Sequence, residues 1–314
     1  MFGRRAVTAA RYDRAVVRSS IRFLIACAGG ATLIAQGPAN PDNRLFRSGV
    51  ELTVITATVR DAQGRLVTGL TRDAFEAFED GERQTIAQFT NARVAVGLGL
   101  LLDTSDSMFG QRIKDARAAV ERFLFELLGE RDEYFVMAFN HYPRPLSSWT
   151  HTPDDVRKAL DRIRPSGGTA VYDAVLTSLP MFVKRSPERA AMVIISDGAD
   201  TASTASLREV RSALLRNDTF VYAVAIDSPE RQAINTRVNE SALREITDDS
   251  GGRTEIVHSS AELADATLRI AEELNSQYML GYSPSHEADG KYHSIRVRVA
   301  GTDYKVRTRN GYVR

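Results

Sequence analysis

Cysteine is almost absent: the single residue of that type, Cys27, excludes an intrachain disulfide and any multi-cysteine zinc site. An excess of charge is missing too, with 41 Lys and Arg set against 40 Asp and Glu. That balance hides an uneven spread. Six arginines (Arg4, Arg5, Arg11, Arg14, Arg18, Arg22) and one acid (Asp13) fall in the first 35 residues, which leaves 35 basic against 39 acidic side chains beyond, a net of −4. A mildly acidic remainder with no basic stripe excludes nucleic acid as the main partner, because neutralising a phosphate backbone needs clustered Lys and Arg. Beyond residue 35 no apolar run is long enough to span a bilayer. Glycine (21) and proline (10) stand near ordinary usage and show no period, which excludes collagen-like and low-complexity chains, and no internal repeat is visible. What is present, 43% hydrophobic and 26% charged residues in 314, is enough to bury a sizeable core.

The arginine-rich start leads into the apolar run Phe23 to Ala35, then into polar Gln36. Thirteen residues fall short of a ~30 Å hydrocarbon core but match the apolar region of a signal peptide. Residues 1–35 therefore read as a signal peptide, and the mature chain is expected to be exported: periplasmic, cell-surface or secreted, with no membrane span. Leu24-Ile25-Ala26-Cys27 has the form of a lipoprotein cleavage box in which Cys27 would be acylated, yet Arg22 leaves only four apolar residues before it. An ordinary signal with Cys27 as apolar filler is the preferred reading, and the lipid anchor is the alternative. Arg4-Arg5 stands too far from the apolar run to be a twin-arginine signal.

Residues 36–48 read as a linker. From Val50 the pattern alternates, Val50, Leu52 and Val54 on one face and Ile55, Ala57 and Val59 after a phase slip, which predicts a strand with a bulge. Asp80-Gly81 between Phe75–Glu79 and the Thr85, Ala87, Phe89 alternation predicts a hairpin with a type I′ turn. Residues 49–91 are thus an N-terminal β segment.

The period then changes. Val94 to Leu102 is a continuous apolar run, the mark of a strand covered on both faces and hence of a parallel sheet. Ile113, Ala116, Val120, Phe123 and Leu127 follow at helical spacing, with Gly129 as the expected C-cap. Alternating strand and helix signals continue to Leu274, which predicts an α/β fold: a doubly wound, mainly parallel sheet with helices on both faces. After Asn275 the period returns to two, with strands expected at Tyr278–Tyr282, around Ile295, Val297 and Val299, and around Tyr304, Val306 and Thr308. Neither terminal β segment is stable alone, so residues 49–91 and 277–314 are expected to build one small β module with a core from Val50, Leu52, Val54, Phe75, Ile295, Val297 and Val299.

In a doubly wound sheet, function sits where loops leave the carboxyl ends of strands. Three such loops carry short oxygen-bearing side chains: Asp103-Thr104-Ser105-Asp106-Ser107, Ser166-Gly167-Gly168-Thr169 and Ser196-Asp197-Gly198. Hard divalent cations take oxygen ligands of this kind. Asp103-x-Ser105-x-Ser107 with Thr169 and Asp197 downstream resembles the metal-ion-dependent adhesion site of von Willebrand factor type A domains. The resemblance covers residues 93–276. Phe75 to Gly81 and Tyr278 to Ser283 also resemble the flanks of bacterial exported von Willebrand type A-related proteins. Asp106 departs from the pattern, standing where the family often has Gly.

The resemblance implies Asp103, Ser105, Ser107, Thr169 and Asp197 as ligands of Mg²⁺ (or Mn²⁺ or Ca²⁺). It further implies a protein partner whose Asp or Glu carboxylate docks on the ion, and no enzymatic activity. The same residue types are also ordinary turn and cap formers, but three such motifs in the required order point to a site. A metal-dependent phosphatase-like hydrolase is the alternative, against which Ser105 occupies the place of the second acid; a structural domain with a loop-tying metal is the third reading. Asp173 reads as a first-turn helix acid, and Asp200, Asp227, Asp248 and Asp249 as surface loop acids. His141, His151, His258, His286 and His293 show no paired spacing and read as solvated or core imidazoles.

Overall fold

A computed structural model describes residues 52–197, 200–227, 240–284, 286 and 288–314. The chain divides into two compact units, Met1–Arg44 and Leu45–Arg314, and every described residue belongs to the second. The signal peptide and linker read at residues 1–48 lie outside the described residues, as does Val50. The first four strands are β1 (Thr53–Arg60), β2 (Phe75–Glu79), β3 (Glu82–Gln84) and β4 (Gln88–Thr90). The α/β part follows as β5 (Val96–Asp103), α1 (Gln111–Arg122), β6 (Glu133–Phe139), β7 (Pro143–Pro145), α2 (Pro153–Asp161) and α3 (Val171–Phe182). It continues through β8 (Arg189–Ser196), α4 (Leu207–Leu214), β9 (Phe220–Ile226), α5 (Glu240–Ser250), β10 (Thr254–Val257) and α6 (Ser260–Asn275). The chain ends in β11 (Tyr278–Tyr282), β12 (Tyr292–Val299), β13 (Lys305–Arg307) and β14 (Gly311–Val313).

The central sheet runs β10-β9-β8-β5-β6-β7, parallel throughout except for the β6–β7 edge pair. β5 is buried at every position, as its unbroken apolar run requires. Leu98, Leu100 and Leu102 enter one core with residues of α1, α2 and α6, while Leu101 enters the other with residues of α3, α4 and α5. Gly99 leaves room for two rings: a Cβ there would lie 2.6 Å from Phe135 and 2.7 Å from Phe182. β5 can therefore close on that aromatic pair only because it carries a glycine.

The terminal strands interleave. One four-stranded sheet runs β13-β1-β11-β4 and another β14-β12-β2-β3, so each mixes strands from before and after the α/β part. They share an apolar core that includes Ile55, Ala57, Val59, Phe75, Tyr278, Leu280, Ile295, Val297 and Val299. The Asp80-Gly81 turn is as expected, both residues having positive φ (50° and 87°) as a type I′ turn demands.

Several expectations are corrected. The inward phase of β1 is Ile55, Ala57, Val59; Val54 faces the other way, lining a cavity with Arg189, Met279 and Arg309, and Leu52 is not part of the core. The outward phase is Val54, Thr56, Thr58 and Arg60, so Val54 is an apolar residue at the start of an otherwise polar face. The first helix ends at Arg122 and widens into a π-helical turn, Phe123–Leu127, which buries both Phe123 and Leu124. Gly129 is not a left-handed cap; its N–H donates to Asp132 at 2.7 Å. Strands β7 and β14 carry no alternation to find. Prolines 143 and 145 are tolerated because β7 lies at the sheet edge.

One buried carboxylate gathers strands of the terminal module onto the α/β part, beside links such as Val313 N–H to Leu215 O at 2.8 Å and Arg307 Nε–H to Gly251 O at 3.0 Å. Glu273 on α6 is fully buried and meets Arg60 of β1 at 2.9 Å, Arg253 at 3.4 Å, and Arg307 of β13. Tyr222 of β9 donates its hydroxyl to it at 2.9 Å. Burial raises this carboxyl, but Arg307, Arg253 and Arg60 outweigh burial and hold it below the ordinary 4.5. Its contribution to stability is thus present above about pH 4.5 and is lost as pH falls through the lower folded value. Glu273→Gln is expected to cost about 3–5 kcal/mol in urea unfolding at neutral pH. The variant should also lose part of the acid dependence below pH 4.5.

Candidate metal centre

Asp103 ends β5 at the carboxyl edge of the sheet and is fully buried. Its Oδ1 accepts the Ser105 N–H at 2.8 Å and its Oδ2 the Ser196 hydroxyl at 2.5 Å. The turn Asp106–Met108 drives Met108 into the core, which fixes the two serines beside the strand end. Ser105 Oγ and Ser107 Oγ lie 2.9 Å apart, and the Ser107 hydroxyl donates to Asp197 Oδ1 at 2.7 Å. Two strand ends, β5 and β8, thus place Asp103, Ser105, Ser107 and Asp197 in one hydrogen-bonded chain. Asp106 is exposed, so the departure from the family pattern sends its carboxylate to solvent.

The second loop is lashed to the first by its backbone. Ser166 N–H donates to Thr104 O at 2.9 Å, and Asp106 N–H to Gly167 O at 2.9 Å. Thr169 is buried on this loop; its carbonyl accepts the Thr201 and Ala202 N–H groups at 2.8 and 3.0 Å. Gly167 sits at φ +78°, and a Cβ there would come within 2.5 Å of His141 Nδ1. Asp200 is not a simple surface acid, since it accepts from Tyr172 N–H at the start of α3 and from Ser203. Asp173 is in the first turn of α3, as expected, and holds Thr204 and Ala205.

Burial dominates the electrostatics. It pushes the Asp103 carboxyl up to about 7, with the nearby Asp197 charge adding to the rise against the Ser196 and Ser105 hydrogen bonds. Burial raises Asp197 as well, opposed by Ser107 and Arg112. Arg112, in the first turn of α1, was not among the sequence candidates. Its guanidinium reaches Asp197 Oδ2 at 2.5 Å and Ser107 O at 3.0 Å. The only sequence signal for it is a basic residue in the helix that follows the serines. Two buried acids wired through hydroxyls form an all-oxygen donor set, and their raised carboxyls mark a place where added positive charge is favourable. These residues fit a hard divalent cation. Phe109, two residues past Ser107, is 77% exposed, and Tyr142, three past the end of β6, is 55% exposed.

The sequence profile of the von Willebrand factor type A domain matches residues 98–199. This chain carries a von Willebrand factor type A domain. Inter-alpha-trypsin inhibitor heavy chain H2 of Mesocricetus auratus is 29% identical over 129 residues, 37% of this chain and 14% of that protein. Heavy chain H4 of Sus scrofa is 24% identical over 189 residues, 54% of this chain and 20% of that protein. The chain therefore spans a fifth or less of the length of these curated relatives. Among solved structures, an aerotolerance-related membrane protein from Bacteroides fragilis aligns with TM-score 0.50 and 21% identity, covering 58% of this chain and 99% of that one. A von Willebrand factor type A structure from Catenulispora acidiphila aligns with TM-score 0.51 and 13% identity, covering 86% of this chain and 76% of that one. These likenesses show the fold, a module that commonly mediates protein–protein interaction.

The left-handed Gly167 gives a test of the loop that carries Thr169. Gly167→Ala is expected to destabilise the domain by about 1–3 kcal/mol in chemical unfolding. Gly168→Ala, at a position without positive φ, should cost less.

Proposed function

We propose that this protein is an exported, divalent-metal-dependent protein-binding module of the adhesion type, without enzymatic activity. Asp103, Ser105, Ser107, Thr169 and Asp197 would hold Mg²⁺ (or Mn²⁺ or Ca²⁺). A bound ion supplies a Lewis-acidic position that an Asp or Glu carboxylate of a partner protein can fill. The observation that carries the reading is the pair of buried carboxylates, Asp103 and Asp197, joined through Ser105, Ser107 and Ser196 at the carboxyl edge of the sheet. Phe109 and Tyr142 support a protein partner, since exposed aromatics on loops beside a polar centre are the side chains that anchor interfaces.

The residues do less for a hydrolase. Phosphoryl transfer to Asp103 would call for an acid two residues on, and Ser105 stands there. Neither a nucleophile elbow nor a glycine-rich phosphate loop is present in the sequence. The arginine-rich, apolar start of the chain supports export, and among the described residues no helix is long and apolar enough to cross a membrane.

Asp103→Ala is expected to abolish Mg²⁺ binding in calorimetry while the circular dichroism spectrum is kept; unchanged heats would remove the site. Thr169→Ala separates adhesion from a loop-tying ion, because Thr169 lies on a different loop from the serines. The variant should keep Mn²⁺ binding but lose about ten- to hundredfold in chelator-sensitive capture of partner from envelope or culture fluid, the value of a charge-assisted contact of ~1.5–3 kcal/mol. Asp197→Asn should weaken ion and partner together. Capture by Thr169→Ala equal to that of the unsubstituted chain would leave the ion a structural role.

A further inference from the structure

We propose a second metal site, built by Asp80, His286 and His293 at the β2–β3 turn and selective for Zn²⁺ or a similar imidazole-preferring transition ion. One ligand atom from each of these residues lies within 4.8 Å of the others. Zinc bonds of ~2.0–2.1 Å in tetrahedral array would draw such atoms to roughly 3.4 Å apart. His286 is exposed, so rotation of its side chain can close that gap.

The backbone has already fixed the centre of the cluster. β12 alternates exposed and buried positions, and His293 shares the inward phase with Ile295, Val297 and Val299. An imidazole at a core position needs partners for both ring nitrogens. Asp80 Oδ2 meets Nδ1 at 2.8 Å and Asp289 Oδ1 meets Nε2 at 3.2 Å. Asp80 cannot swing freely: its φ of 50° belongs to the tight turn, and its Oδ1 accepts the Ser294 N–H at 2.8 Å and hydroxyl at 3.1 Å. Oδ2 is left facing the ring. The His286 ring stacks on His293 at 5.2 Å between centroids and 17° between planes, which holds it beside the cluster; turning out of that stack would aim its in-plane lone pair at an ion shared with His293 and Asp80. His293 is a core imidazole and His286 a solvated one, as the sequence implies, but their nearness to each other and to Asp80 is not visible there.

Asp289 plays the orienting part. A carboxylate that accepts the far ring N–H holds the ring in place, so that an ion entering between Nδ1 and Asp80 would displace the Nδ1 proton and take up its lone pair, an arrangement typical of zinc-bound histidines. Asp289 is itself held by the Lys291 N–H at 2.9 Å. The donor set of two nitrogens and one carboxylate oxygen suits Zn²⁺, Co²⁺ or Ni²⁺ and suits Mg²⁺ and Ca²⁺ poorly. It is the reverse of the all-oxygen set at Asp103. An ion here would tie the β11–β12 connection to the β2–β3 turn, joining parts of the chain that are two hundred residues apart.

Calorimetry of the full chain with Zn²⁺, under saturating Mg²⁺ to fill the strand-end site, tests the proposal. One Zn²⁺ per chain is expected, with a rise in Tm, and Co²⁺ in its place should give the intense visible bands of a tetrahedral ion. His286→Ala, at an exposed position that leaves the core intact, should weaken Zn²⁺ at least a hundredfold, and Asp289→Asn by about ten- to hundredfold. Asp103→Ala should leave Zn²⁺ affinity unchanged, so failure of either site is seen apart from the other. Absence of saturable Zn²⁺ binding, or equal affinity in His286→Ala, would overturn the site and leave His293 as an imidazole clamped between two carboxylates.

Discussion

The carboxylate of Glu273, buried against Arg60, Arg253 and Arg307, is the constraint on which the arrangement of the described residues depends. A buried acid without partners would be neutralised or expelled; with several guanidinium groups it stays charged and dictates where they stand. Two of them come from strands on opposite sides of the α/β part in sequence, β1 and β13, and both must reach α6 to satisfy it. Gln277 extends the network, donating to the Tyr222 hydroxyl at 3.1 Å and accepting from buried Arg189 at the start of β8. The sheet edge opposite Asp103 is therefore a polar lock, and sliding one strand in the terminal sheets would leave a buried charge unpaired.

At the carboxyl edge the logic is inverted. Strong backbone bonds hold the loops, Ser166 to Thr104 and Asp106 to Gly167, while the side chains between them are short and acidic. Asp197 has a cation of the protein's own in Arg112, whereas Asp103 is held by the neutral donors Ser105 N–H and Ser196 Oγ. That difference explains why the carboxyl of Asp103 is driven so high by burial: a hydrogen bond from a hydroxyl offsets only part of what desolvation takes.

Much of this was legible in the sequence because it rests on local pattern. The unbroken apolar run of β5 declares a strand covered on both sides, and Asp103, Ser105, Ser107 and Asp197 are found at strand ends because short polar residues immediately follow such runs. What stayed hidden is what depends on distant partners. Arg112 looks like any helix surface arginine until β8 brings Asp197 to it. Glu273 reads as one more polar residue on an amphipathic helix, and its burial is set by strands that lie far away in the chain. His286 and His293 are seven residues apart, and only the β2–β12 pairing delivers Asp80 to them. Val54 misleads for a related reason: it is apolar but shares the outward phase with Thr56, Thr58 and Arg60, and the residues it meets, Arg189, Met279 and Arg309, lie far away in the chain.

The separation of these features has an energetic meaning. A pair of buried acids at the carboxyl edge lowers stability, and a domain that keeps them must be held together elsewhere. The Glu273 network and the apolar core of the terminal strands supply that hold at positions that do not touch Asp103 or Thr169. Loops at the carboxyl edge are then free to vary in charge and shape without loss of the fold, which is the condition under which one scaffold can present different faces to different partners. The exposed Phe109 and Tyr142 lie in such loops. Changing them alters the surface offered beside the acids, while β5 and β8, buried along their whole length, continue to fix where the acids stand.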